Sequence, residues 1–269
     1  MPTVTVNGIE LYYEAHGSGP PLLLIMGLGS DSSHWFHQVP EFSRRYQVIA
    51  LDNRGVGRSS VPPGPYTTEI FGEDAAALLR ALNLGSVHVV GCSMGGFAAQ
   101  YLAAQNPELV ASLVLACTGP KALPYGQRVL ETWEESARAK GMEGLIKEVM
   151  LWYFTPSFFL NRKEELSRIE AMYRDRPQRL EGYISQNRAC RTHDATAVLG
   201  KIKCPTLVMV GSEDRITPPA ASEALTRAIP DAQLVVLPGA SHRFMWEIPE
   251  AFNQRVLSFL DSVAGSPGS

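Results

Sequence analysis

Val90-Gly91-Cys92-Ser93-Met94-Gly95-Gly96 (VGCSMGG) sets a single hydroxyl among small residues, directly after an apolar run. By composition alone, Gly-x-Ser-x-Gly arises by chance in roughly one chain in ten of this length, so its surroundings must decide what it means. The run Val87–Val90 before it reads as a buried strand, and Gly95–Gln105 after it as a helix. On a sharp strand-to-helix turn, side chains at Gly91 and Gly95 would collide with the neighbouring strand and helix. Their absence leaves the Ser93 hydroxyl exposed at the carboxyl end of a sheet. A helix N-terminus beneath it favours negative charge that develops there. Ser93 is therefore a candidate nucleophile, and the chain around it an α/β fold.

The same alternation extends in both directions. Thr3–Asn7 and Glu10–Glu14 flank Asn7-Gly8, a hairpin signal. Short apolar runs at Leu22–Met26, Gln47–Leu51, Leu113–Ala116, Thr206–Val210 and Leu234–Leu237 suit strands buried on both faces, as in a parallel sheet. Helical patterns at Thr68–Leu82, Ala220–Ile229 and Pro249–Val263 lie between or after them, with Asn106-Pro107 and Ile229-Pro230 as stops. This predicts a mostly parallel, doubly wound sheet. From 121 to 200 no strand is evident, only helical patterns rich in aromatics. Residues 1–120 and 201–269 thus read as the core, and 121–200 as a helical cap inserted over it.

The 269 residues are 45% apolar and 19% charged, enough to bury a large core. A formal net charge of −3, without basic clusters, gives no electrostatic footprint for nucleic acid or an anionic membrane. The run Arg174, Arg176 and Arg179 has carboxylates on its flanks and reads as a solvated helix face. Four cysteines without framework spacing suggest buried free thiols in a reducing compartment. With no leader pattern and no membrane-length apolar run, a cytoplasmic protein is expected, monomeric or homodimeric. The tail Ala264–Ser269 is expected to be disordered.

A serine hydroxyl needs a base. Of six histidines, His242 lies just past the last strand, in a loop that reaches the carboxyl edge of the sheet where Ser93 sits. An acid must orient its imidazole. The loop after Thr206–Val210 supplies Asp214, with Glu213 as its neighbour. The loop Cys117–Pro120 carries no carboxylate. Oxyanion donors are expected from the amide of Met94 and, in the loop after Leu22–Met26, from that of Leu28.

Five stretches carry a resemblance. They are LLLIMGLGSDSSHW (22–35), VIALDNRGVGRS (48–59), VVGCSMGGFAAQYLA (89–103), CPTLVMVGSEDRITPP (204–219) and LPGASHRFMWEIPEAF (237–252). Over nearly its whole length the chain resembles the α/β-hydrolases, whose triad runs in the order Ser93, Asp214, His242. Within them it is similar to 3-oxoadipate enol-lactonases and related carboxylesterases. In one departure, the usual His-Gly of the first loop is Met26-Gly27, removing a side chain that would brace the Leu28 amide.

Other motifs read as structural. Cys92 is a packed thiol, since Ser93 holds the central position. Gly55–Ser60 lacks the third glycine of a dinucleotide fingerprint. His34-x-x-His37 has metal-ligand spacing but no companion ligands, so neither metal nor cofactor is expected. Aromatics of the cap should roof Ser93. Trp152, Phe158 and Met172 are expected on the cap side of the pocket, and Trp35, Phe97 and Met245 on the core side. The expected activity is hydrolysis of a small carboxylic ester or lactone through an acyl-enzyme. The alternatives are carbon–carbon bond hydrolysis, acyl transfer, cofactor-free haloperoxidation, or a ligand-binding module without turnover.

Overall fold

A computed structural model describes residues 2–265. The expected tail falls largely on residues 266–269, outside the described residues; Ala264 ends the last helix. Eight strands form one sheet. They are β1 (Thr3–Val6), β2 (Ile9–His16), β3 (Pro21–Ile25), β4 (Gln47–Leu51), β5 (Val87–Cys92), β6 (Val110–Ala116), β7 (Thr206–Gly211) and β8 (Gln233–Leu237). Their order is β1-β2-β4-β3-β5-β6-β7-β8. β1 and β2 pair antiparallel, and β2 joins β4 antiparallel. From β4 onward every pairing is parallel.

The helices are α1 (Val39–Phe42), α2 (Thr68–Ala81), α3 (Met94–Gln105), α4 (Pro124–Tyr153), α5 (Pro156–Asn161), α6 (Lys163–Asp175), α7 (Leu180–Arg191), α8 (Pro219–Ala228), α9 (Phe244–Glu247) and α10 (Pro249–Ala264). Strands β3 to β7 are buried at almost consecutive positions. Such burial requires helices on both faces, which is why these strands read as continuous apolar runs rather than alternating ones. β3 pairs with β4 on one side and β5 on the other. Chain direction therefore switches between β3 and β5, where a crevice opens beyond the strand ends. Leu28 follows β3 and Ser93 follows β5, so the two flank that crevice.

The turn between β5 and α3 is held by contact. Ser93 has φ 54° and ψ −117°, a conformation that costs free energy for a residue with a Cβ and persists only where the surroundings enforce it. A Cβ on Gly95 would stand 2.0 Å from the carbonyl oxygen of Ile25, and one on Gly91 would stand 2.5 Å from that of Gly95. Strand β3 thus presses directly on the first turn of α3. Gly95→Ala is expected to destabilise the protein by about 3 kcal/mol, an overpacking that no side-chain rotation relieves. Urea unfolding should show it as a lowered midpoint.

Between β6 and β7 lie α4 to α7. α4 breaks at Gly141, whose φ is 70° and ψ −179°, so it is two helices meeting at a kink. The two ends of this segment are clasped side by side. Lys121 and Asp194 form an antiparallel bridge, the Ala122 amide donates to the His193 carbonyl at 2.8 Å, and the Ala195 amide to that of Pro120 at 2.9 Å. Among the described residues, no helix is long and apolar enough to cross a membrane.

Candidate active site

Three loops at the carboxyl edge bring Ser93, His242 and Asp214 together. Ser93 Oγ lies 3.1 Å from His242 Nε2, and His242 Nδ1 lies 2.8 Å from Asp214 Oδ2. A proton on Nδ1 facing the carboxylate leaves Nε2 bare toward the serine, the tautomer a base needs. The Asp214 carboxylate is itself held. Its Oδ1 accepts the amides of Ile216 (2.8 Å) and Thr217 (2.9 Å), and its Oδ2 accepts the Thr217 hydroxyl at 2.8 Å. Glu213, the alternative acid, is exposed. His242 is 2% exposed, with Tyr153 stacked over its ring at 5.9 Å.

The oxyanion side is built from two strand ends. Met94 opens α3, and the first amides of a helix have no partner within it. Among the described residues no acceptor takes the Leu28 amide. Its neighbour Gly29 donates instead to Gln186 Oε1 at 3.2 Å. The loop lies against Ser93, for a Cβ on Gly27 would stand 3.0 Å from Ser93 Cβ. The brace lost with Met26 in place of histidine is supplied otherwise. Asn53 Nδ2 donates to the Met26 carbonyl at 3.0 Å, and Gln186 ties the loop to the Arg54 carbonyl at 2.8 Å.

Above Ser93 opens a narrow cleft of about 50 Å³. Its wall is mainly apolar, with Leu28 from the loop after β3, Phe97 from α3, Leu130, Trp133 and Tyr153 from α4, and Ile216 from the loop after β7. Of the six pocket residues expected from sequence, only Phe97 is on this wall. Trp35 and Met245 are fully buried in the hydrophobic core. The Met245 sulfur sits 4.0 Å from that of Cys92. Trp152 packs against Tyr125 and Trp133, with Arg215 over its ring. Phe158 stacks on Phe154 at 4.2 Å inside the cap, and Met172 is half-buried on α6. The physical reason is the kink in α4. Its first half turns one stripe, Leu123, Gly126, Leu130 and Trp133, onto the serine. That i, i+3, i+7, i+10 spacing is present in the sequence, but the denser aromatics of 152–159 outweighed it. Tyr153, Thr217 and Lys121, which also line the cleft, were missed as well.

His34 and His37 point to different acids, Asp31 at 3.0 Å and Glu165 at 2.7 Å. No group of three or more His, Cys, Asp or Glu is placed to hold a metal among the described residues. His193 stacks behind Phe97 at 3.8 Å. Burial holds its pKa down to about 3, so it packs there as neutral imidazole.

The sheet order, the strained serine turn and the assembled Ser93, His242 and Asp214 are those of the alpha/beta hydrolase fold. The model of that family matches residues 20–249, and the chain belongs to it. It is similar over nearly its whole length to several proteins of that family. The 3-oxoadipate enol-lactonase 2 of Acinetobacter baylyi is 34% identical over 260 residues, 94% of each chain. Among solved structures, the enol-lactonase from Burkholderia xenovorans LB400 superposes with a TM-score of 0.88 at 33% identity, covering 97% of this chain and 100% of that one. A thermophilic esterase from Thermogutta terrifontis superposes with a TM-score of 0.85 at 34% identity over 97% of each chain.

Proposed function

We propose that this hydrolase cleaves a carboxylic ester or lactone of a small, neutral, apolar molecule through an acyl-enzyme on Ser93. The observation that carries the reading is the unbroken hydrogen-bond line from Asp214 through His242 to Ser93 Oγ, opening into an apolar cleft. Ser93 Oγ attacks the carbonyl carbon as its proton passes to His242 Nε2. The amides of Leu28 and Met94 receive the oxyanion. Collapse breaks the carbon–oxygen bond to the leaving group, which takes the proton from His242. Water, deprotonated in turn by His242, then attacks the acyl carbon, and the acid leaves as Ser93 regains its proton.

The walls of the cleft disfavour a charged substrate. Arg162 pairs with Glu165, and Arg188 and Arg191 pair with Glu134; none of the three lines the cleft. The cation in the lining is Lys121, which is exposed and still hydrated. Burying an anion against such walls without a buried partner is unfavourable. A neutral aryl butyrate is therefore expected to have kcat/KM at least about 10-fold above that of an anionic enol-lactone. Steady-state kinetics on both substrates measures the ratio. A value well below one would overturn the neutral preference in favour of the enol-lactonase likeness.

A further inference from the structure

The residue after His242 is an arginine without an acid. Arg243 is 1% exposed, and among the described residues its guanidinium touches no carboxylate. Nη1 lies 3.1 Å from Met26 Sδ and 3.8 Å from Cys92 Sγ. Nη2 lies 3.0 Å from Ser30 Oγ and 3.4 Å from the Tyr153 hydroxyl, and among the described residues Nε has no hydrogen-bond partner. The rings of Tyr153 and Trp246 are 4.5 and 4.6 Å from the guanidinium carbon. Taking this cation out of water without a counter-ion is expensive, and ring faces return only part of the loss. A core that merely needed filling is served as well or better by Met or Leu.

The contacts converge on the catalytic apparatus. Met26 and Ser30 bracket the loop that presents the Leu28 amide. Cys92 precedes the nucleophile, and Tyr153 covers His242. The Met26 sulfur of the first loop meets an arginine N–H. Burial raises the pKa of the Cys92 thiol, while the hydrogen bond with Cys117 and the charge of Arg243 bring it below its ordinary value.

We propose that Arg243 is a positioning residue for hydrolysis: it fixes the Met26–Ser30 loop against the nucleophile strand and sets a permanent positive charge beside the oxyanion hole. The proposal rests on the serine-hydrolase reading above. The tetrahedral intermediate brings a full negative charge to the hole, whereas the bound ester brings only a carbonyl dipole. A fixed cation there stabilises the first far more than the second, so its effect falls on kcat and not on KM.

The test compares wild type, Arg243→Lys and Arg243→Met on p-nitrophenyl butyrate, with near-UV circular dichroism to establish that each is folded. The expected order of kcat is wild type, then Lys, then Met, with the Met variant down about 30-fold and KM within about threefold throughout. A trifluoromethyl ketone, which adds to Ser93 as an anionic tetrahedral adduct, should lose affinity in the same order. A neutral amide inhibitor, butyramide, should not. Where Arg243→Met does not fold, Arg243→Lys alone must weaken the ketone by more than about threefold and leave butyramide unchanged. A folded Met variant with full kcat, equal losses for ketone and amide, or a Lys variant no better than Met would each overturn the proposal. Failure of the wild type itself to form the ketone adduct at Ser93 would overturn the serine-hydrolase reading first, and this proposal with it.

Discussion

Ser93→Ala is expected to lower ester turnover by about 10⁶-fold, to the residual level that oxyanion donors and binding alone sustain. The Ser93 hydroxyl's side-chain contact is with His242, so its removal leaves the sheet, the crowded turn and the cleft in place. The backbone at φ 54° is no more strained with alanine than with serine, because both carry a Cβ. The variant should therefore unfold with the wild-type midpoint while losing activity, and that separation of stability from turnover is what marks a nucleophile. A fluorophosphonate should label the wild type at Ser93 and nowhere else, as shown by peptide mass spectrometry. Turnover above a few per cent in a contaminant-free preparation, or label on another residue, would remove Ser93 from the mechanism.

His242→Ala should be almost as damaging, with a loss of about 10⁵- to 10⁶-fold, and Asp214→Asn somewhat less so, at about 10⁴-fold. In the proposed mechanism His242 takes the Ser93 proton, and Asp214 selects the tautomer that leaves Nε2 free. Thr217 softens the loss of the acid, since its hydroxyl oxygen lies 3.3 Å from His242 Nδ1 and can accept that proton's hydrogen bond once the carboxylate is gone. The decisive measurement is the double mutant Ser93→Ala/His242→Ala. Groups that act as a unit lose their joint effect at the first deletion, so the double should be little worse than either single. Multiplicative losses would show that the two do not work together. Glu213→Gln, altering an exposed side chain, should remain near wild type.

What could be read from sequence divides along physical lines. β3 to β7 are legible because burial on both faces leaves them few polar positions, with His88 and Ser112 paired to each other, and the serine turn because close approach of β3 to α3 excludes every residue but glycine at Gly95. His242 and Asp214 follow from their places after strands whose ends share one edge. The cleft wall does not follow, because a helix such as α4 presents apolar residues to the cap interior, the core and the serine in the same 3.6-residue rhythm. Only the kink at Gly141 decides which stripe goes where. Arg243 was missed for a different reason. Composition treats arginine as surface, and nothing local marks one whose surroundings are two sulfurs, two hydroxyls and two rings.

The clasp formed by Lys121, Ala122, Asp194 and Ala195 gives the molecule a seam. Because the chain leaves and re-enters the core at one narrow point, everything between is a loop in the topological sense, free to vary in length without changing the span its ends must cover. Ser93, Asp214 and His242 all lie outside that loop, while Leu130, Trp133 and Tyr153, which shape the space for substrate, lie inside it. Inheritance can therefore vary much of the wall around the substrate while Ser93, Asp214 and His242 keep their places, provided the new loop still meets His242 and the Leu28 loop as Tyr153 and Gln186 do. A lineage could exchange roofs as a lathe exchanges cutting heads, acquiring new substrates without relearning the reaction.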